Sequence, residues 1–378
     1  MRVSVCAGLF LLSSSFLSAQ EVPSNPGNAA SQAAPSARVS VTFSATDSDG
    51  NSMRNLDQQS VTVIADNRGT DVLEVRDASV LPLHLGIIFL SATSKFDQQQ
   101  AAAIDLAQKV LRPGKDKAFV VTAGGTKPWP DPHINWLADP ADVAKAVKAL
   151  DKNSGLPDLF NSQIATTAVG LNRSTIQQYS LAGGFSAFDV IWAMMKNDPR
   201  PARRAVVIFR QASAHAPGFG RRVTENVEEN HGRVIRTAQA MGVAIYTIGV
   251  EDPSAFSENA RNLLASDYAS IHPGDDNGAR VYDSRMADAR EAQYAAGQQN
   301  VERLAEETGG RAWWTMKKNY SDAVAAISNE LNSRYVVSFA PGPAVATGPL
   351  HPLKVQVTGA KHVSAPKSYL LQAQQGPN

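Results

Sequence analysis

From Leu83 the chain reads Leu-His-Leu-Gly-Ile-Ile-Phe-Leu to Leu90, then turns abruptly to Ser91-Ala92-Thr93-Ser94. An apolar run of this length with no polar alternation is too short for a lone helix and suits a strand buried on both faces. Such strands lie at the centre of parallel sheets covered by helices on both sides, where ligands sit at the carboxyl ends of the strands. The hydroxyl-rich loop Ser91 to Ser94 is therefore where a site is expected.

The segments that follow keep the same grammar. Gln98 to Leu111 carries Ile104, Leu106, Ala107, Val110 and Leu111 at helical spacing and is closed by Pro113-Gly114. Ala118 to Thr122 is a second buried strand, and Asp139-Pro140 opens a helix whose inward stripe is Val143, Val147 and Leu150. Further on, helices are expected over Ser186 to Lys196, Val223 to Met241, Asn300 to Thr308 and Ser321 to Leu331, and strands over Ala205 to Phe209, Val243 to Val250 and Arg311 to Thr315. Alternation of strand and helix predicts a doubly wound, mostly parallel α/β sheet of Rossmann-like type. Asp151 to Leu181 reads as a long irregular loop over the upper face, and Glu251 to Gln299 as a polar excursion. In a regular strand, Trp313 and Trp314 point to opposite faces.

Both flanks of this region are β in character. Val39, Val41 and Phe43 alternate with Ser40, Thr42 and Ser44, and Val61 to Ala65 and Val72 to Val75 follow around the turn Asp66-Asn67-Arg68-Gly69. Asp47-Ser48-Asp49-Gly50-Asn51 is a tight turn; it lacks the further carboxylates and distal Glu that a calcium loop needs. After residue 333 come Tyr335 to Phe339, Leu353 to Val357 and a last strand near Tyr369 to Leu371. Strands so few at each end do not make a stable unit alone. Each flank is expected to supply the other, giving a discontinuous β-sandwich-like module over 38–80 and 334–371 around an α/β domain at 81–333.

Met1 to Ala19 has one early Arg, an apolar stretch from Val3 to Leu12 and small residues at Ser18 and Ala19, the form of a secretory signal peptide. Cleavage is expected after Ala19, or else after Gln20, and no membrane span is expected in the mature chain. The segment 20–37, rich in Ser, Ala, Pro and Asn, reads as a disordered leader. Cys6, the single cysteine, lies in the signal segment, so disulfides, thiolate metal sites and cysteine nucleophiles are excluded from the mature protein. A formal net charge of +1 and the absence of a Lys/Arg block argue against nucleic acid and acidic membrane surfaces. The pairs Arg203-Arg204 and Arg221-Arg222 read as solvated loop charges. His84, inside the apolar run, reads as a core or edge residue.

The buried strand, its hydroxyl loop and the helix after it resemble the opening of a von Willebrand factor type A domain. More closely, the chain is similar to the secreted type A-related family typical of acidobacteria. Matching stretches are Pro82-Leu83, Leu111-Arg112-Pro113-Gly114, Val243-Ala244-Ile245-Tyr246-Thr247-Ile248-Gly249, Leu304 to Ala312 and Leu331-Asn332-Ser333-Arg334-Tyr335-Val336-Val337. The resemblance implies a type A domain inserted in a β-sandwich-like module. It also implies a place for a divalent cation, held in that family by Asp-x-Ser-x-Ser, a threonine and an aspartate. Here those positions fall on Leu90, Ala92, Ser94, Phe185 and Arg210. Only Ser94 keeps a liganding group, and a guanidinium at Arg210 repels a dication. No Mg²⁺ or Mn²⁺ is expected, although Thr93, Ser186 and Asp189 could still offer oxygen.

Two uses of Arg210 stay open. It can receive a partner's carboxylate in a bidentate fork, or it can be a surface residue at a strand end. Enzyme patterns are absent: Gly184-Phe185-Ser186-Ala187-Phe188 lacks the last glycine of a nucleophile elbow, Gly124-Gly125-Thr126-Lys127 lacks phosphate-loop spacing, and the histidines are scattered. The expectation is a secreted, non-enzymatic adhesion or protein-interaction module with a degenerate metal site. Candidate partner contacts are Ser91, Thr93, Ser94, Ser186 and Arg210. The alternatives are a hydrolase, favoured by a Ser, His and carboxylate cluster in one cleft, and a structural envelope component.

Overall fold

The computed structural model describes residues 38–89, 96–122, 135–150, 192, 195, 201–211, 232–250, 299, 301–315, 320–342 and 350–370. Four strands precede the long apolar run: β1 (Val39–Thr46), β2 (Val61–Ala65), β3 (Arg68–Thr70) and β4 (Val72–Asp77). Five make the parallel sheet: β5 (Leu83–Phe89), β6 (Lys117–Thr122), β7 (Arg203–Gln211), β8 (Val243–Val250) and β9 (Ala312–Thr315). Four close the chain: β10 (Tyr335–Phe339), β11 (His351–Val357), β12 (His362–Ser364) and β13 (Ser368–Tyr369). The described helices are α1 (Phe96–Val110), α2 (Pro140–Lys148), α3 (232–240), α4 (301–307) and α5 (Ser321–Asn332).

Every residue of β5 is buried, which is why its sequence is apolar without alternation. It pairs in parallel with β6 on one side and β7 on the other, in a sheet of order β6-β5-β7-β8-β9. Alternate residues feed two cores. Leu85, Ile87 and Phe89 pack with α1, α2 and α5, whereas Ile88, Val206 and Ile208 pack with Val234, Ile235 and Ala238 of α3 and Leu304 of α4. Helices thus cover both faces, the doubly wound α/β class expected. His84 is 2% exposed, its ring 5.2 Å from that of Trp136, and so belongs to the core. Trp313 stacks on Tyr246 while Trp314 lies against Gly249, on opposite faces as strand geometry requires.

The flanking strands form two antiparallel sheets, β12-β1-β10-β4 and β13-β11-β2-β3, which share one core around Phe43, Val63, Val337, Phe339 and Val355. β1 pairs with β10 and β2 with β11, so strands far apart in sequence do complete each other. Two strands escape the sequence pattern. The turn after β2 is only Asp66-Asn67, both at positive φ (51° and 61°), and Arg68–Thr70 returns as β3. β12 is short and pairs with the end of β1. In the turn at 47–51, Asp47 Oδ1 accepts from the amides of Asp49 (2.9 Å) and Asn51 (2.8 Å), so its carboxylate is a turn cap.

The reading of Arg203-Arg204 as a solvated loop pair fails. Arg203 opens β7 and is 1% exposed, because a carboxylate and two backbone carbonyls await it. Asp116, itself buried, accepts from Leu83 N (2.7 Å), Arg112 N (2.8 Å), Arg112 Nε (2.7 Å) and Arg112 Nη2 (2.8 Å), with Arg203 Nη2 at 3.9 Å. Arg112 also donates to Ser79 O and Leu81 O, and Arg203 to Leu81 O and Leu331 O. The two crossings between the β module and the α/β layer, near 79–83 and 331–334, are pinned by this one cluster. Residues 37–378 form one compact unit.

Candidate functional site

The strand order reverses at β5: the chain leaves β5 for β6 on one side and then crosses to β7 on the other. The crevice outside the carboxyl ends of β5 and β7 is the switch point at which open α/β sheets bind ligands. Its floor is aromatic. Phe89 and Phe209, in register, stack with centroids 5.2 Å apart; Phe96 meets Phe89 edge-on at 5.4 Å and Tyr320 lies 6.4 Å from Phe209. Burial pushes the Tyr320 phenol up to about 12, against the pull of the Gln99 amide, so it stays protonated. These four side chains are three phenyl rings and a phenol, none of them a usual metal ligand, and they pack in the core beneath the carboxyl ends of β5 and β7.

Arg210 follows Phe209 in β7 and is in register with Gly249 of β8, which is in register with Trp314 of β9. The backbone of Arg210 therefore stands one residue beyond the Phe89–Phe209 pair, at the carboxyl edge. Gly249 is there because of its neighbour: a Cβ would lie 2.3 Å from Cζ3 of Trp314, whose indole Nε1 donates to Glu302 Oε1 at 2.9 Å. Leu90, Ser91, Ala92, Thr93, Ser94, Phe185, Ser186 and Asp189 lie outside the described residues, as do Arg221-Arg222 and the segments 151–181 and 251–298. Among the described residues no three His, Cys, Asp or Glu side chains are grouped to hold a metal.

One cluster that the sequence did not announce joins a serine, a histidine and a carboxylate. Ser364 Oγ is 3.2 Å from His362 Nε2 and donates to Glu330 Oε2 at 3.4 Å; Arg311 Nη1 donates to Glu330 Oε1 at 3.1 Å. Burial, then the Arg311 charge, holds the His362 imidazole below its ordinary pKa, against Glu330 and Glu306. It is neutral at pH 7, yet the arrangement is not a catalytic triad. The carboxylate holds the hydroxyl rather than the imidazole, Arg311 neutralises it, and Ser364 is 4% exposed. The cluster ties β12 to α5. Its signal, His and Ser two apart on one strand face, was legible only once β12 itself was known.

No family model matches this chain, and no curated protein does. Among solved structures it is similar to the von Willebrand factor type A protein from Catenulispora acidiphila, at 9% identity and TM-score 0.34, over 89% of this chain and 73% of that one. It is also similar to the SpRpn10 VWA domain at 15% identity and TM-score 0.26, over 48% of this chain and 80% of that one. A third likeness is to the human COPII-coat protein Sec24c, at 9% identity and TM-score 0.31, over 77% of this chain and 44% of that one. These overlaps are partial, and the fold assignment rests on the strand order and register given above. No described helix is long and apolar enough to cross a membrane.

Proposed function

We propose that the chain is an exported, non-enzymatic protein-interaction or adhesion module of type A architecture, which binds a protein partner at the carboxyl edge of its parallel sheet without a metal ion. The observation that carries this reading is the place of Arg210. It stands at the end of β7, beside the switch point at β5, where the sequence resemblance puts an aspartate of the metal site. A cation there does for a partner's carboxylate what the dication does in that family, and the bond it forms is bidentate. Ser91, Thr93, Ser94 and Ser186, hydroxyl residues read from the sequence, are the further candidate contacts. Export is supported by the signal-like Met1 to Ala19, and lack of enzymatic chemistry by the absence of a nucleophile or phosphate motif in the sequence.

Calorimetric titration of Mg²⁺ and Mn²⁺ into EDTA-treated mature protein tests the metal-free reading. No binding heat at millimolar metal, and no change in melting temperature, is expected. Binding that Ser94→Ala abolishes would overturn it and return the site to cation-dependent adhesion.

A further inference from the structure

We propose that the open edge of β1 is an interaction surface, one that takes an extended, uncharged segment of a partner protein as an added strand. β12 pairs with β1 only over Ser44 to Thr46 and leaves it at Ser364, after which Pro366 bridges to Thr308 instead. Thr46 O accepts from Lys361 N at 2.9 Å on the β12 side, while Ala45 O accepts from Met53 N at 2.9 Å on the other. Antiparallel alternation therefore turns the N–H and C=O of Ser40 and Thr42 to the β12 side as well, where β12 does not reach. Ala78 N, donating to Arg334 O at 2.8 Å, fixes the same phase through β10: it directs Val337 to Val41 and leaves Ser40 and Thr42 facing out. No described strand pairs with these four backbone groups.

The surroundings decide what the strand must be. Ser40 and Thr42 line a cleft of about 390 Å³ that Ser368 and Leu370 wall on the β13 side and Met241 at the end of α3. A cleft so walled admits one extended chain, but not the same edge of a second copy, which would bring its own walls with it. Where β12 covers β1, Phe43, Ser44 and Ala45 are buried; Val39 and Val41, packed on the same core as Phe43, stay half-buried. Residues of the added strand opposite those two valines are therefore apolar, and those opposite Ser40 and Thr42, on the other face, small and polar. Arg38 pairs with Glu74, and Arg204 donates to Met241 O at 3.3 Å and has further partners, so neither cation is left for an acidic ligand. No Asp or Glu is among the described lining residues, which leaves nothing to select a basic one.

The test is retention, by the full mature chain, of end-blocked octapeptides without charged residues. One pool alternates Val, Ile or Phe with Ser, Thr or Asn; the other holds the same residues in blocks. The alternating pool is expected to be retained in preference, and anisotropy then gives the affinity of an enriched peptide. N-methylation of its alternate amides is expected to cost about tenfold or more in one register and nothing in the other, because an added strand bonds through every second amide. That readout needs no variant. Ser40→Pro removes the outward N–H and should weaken binding about two- to tenfold relative to Ser40→Ala, the worth of one hydrogen bond. Both variants lose the hydroxyl contact of Ser40 with Ser338, so the difference between them reads the N–H alone. Equal retention of the two pools, retention of neither at millimolar peptide, indifference to the register of N-methylation, or equal affinity of the two Ser40 variants would each overturn the proposal. So would a dimer in sedimentation that Ser40→Pro dissociates, since the occupant would then be a second copy. The site is independent of the carboxyl edge, and Arg210→Ala is expected to leave peptide retention unchanged.

Discussion

Asp116→Asn is the change that the joint between the two modules should feel most. The carboxylate is fully buried and takes four hydrogen bonds at 2.7 to 2.8 Å, three from Arg112 and one from the first amide of β5. Burial alone would raise its pKa; the Arg112 side-chain bonds and the amides of Leu83 and Arg112 outweigh that and hold it below the ordinary carboxylate range. An asparagine keeps the shape but loses the charge, and its NH₂ faces donors. It also removes the nearest carboxylate to Arg203, whose pKa burial and the Arg112 charge already bring down to about 10. Removing one member of a buried charge cluster costs about 3–5 kcal/mol. At about 2 °C per kcal/mol for a body of this size, the melting temperature should fall by about 6–10 °C. Urea denaturation of the mature chain measures the loss directly. Asp105→Asn, whose pair with Lys109 is on the surface of α1, is the control and should change stability by less than about 0.5 kcal/mol. An Asp116→Asn loss under about 1 kcal/mol would refute the reasoning, since it would mean that the carboxylate is not what neutralises the joint.

Gly249→Ala should cost about 1–3 kcal/mol, because its Cβ would sit 2.3 Å from the Trp314 ring; Trp314→Val in the same chain should recover most of the loss, and intrinsic fluorescence should report the ring's displacement. For His362 the folded state holds a proton less tightly than the unfolded chain, so stability should fall as pH drops below about 6.5. His362→Gln should flatten that slope between about pH 7 and 5 in melting-temperature measurements; an unchanged slope would place the acid sensitivity elsewhere.

What the sequence made legible follows from how each element is stabilised. β5 announces itself because both of its faces are buried, so seven consecutive positions are under the same demand. β3 and β12 do not, because Arg68-Gly69-Thr70 and His362-Val363-Ser364 are held by backbone pairing to β2 and β1 and need no apolar alternation. Arg203 misleads for a related reason: a charge looks solvated until the residue that neutralises it is known, and Asp116 lies far away in sequence. The Ser364, His362 and Glu330 cluster is invisible on the same grounds. The positions expected for a metal site follow from resemblance rather than periodicity, since hydroxyl loops carry no repeat of their own.

The same distinction explains why the joint matters for the carboxyl edge. α5 begins at the aromatic floor, where Tyr320 meets Phe209, and ends at the crossing where Leu331 O receives Arg203. β5 begins at Asp116 through Leu83 and ends at Phe89 in that floor. Both elements that bound the upper crevice from below are thus anchored at their far ends to one charge cluster. If, as proposed, a cation at Arg210 stands in place of a metal, no ion is there to order the upper face. The geometry of that face must then come from the strands and helices beneath, and the group of buried Asp116 and Arg203 with partly exposed Arg112 is where those are tied.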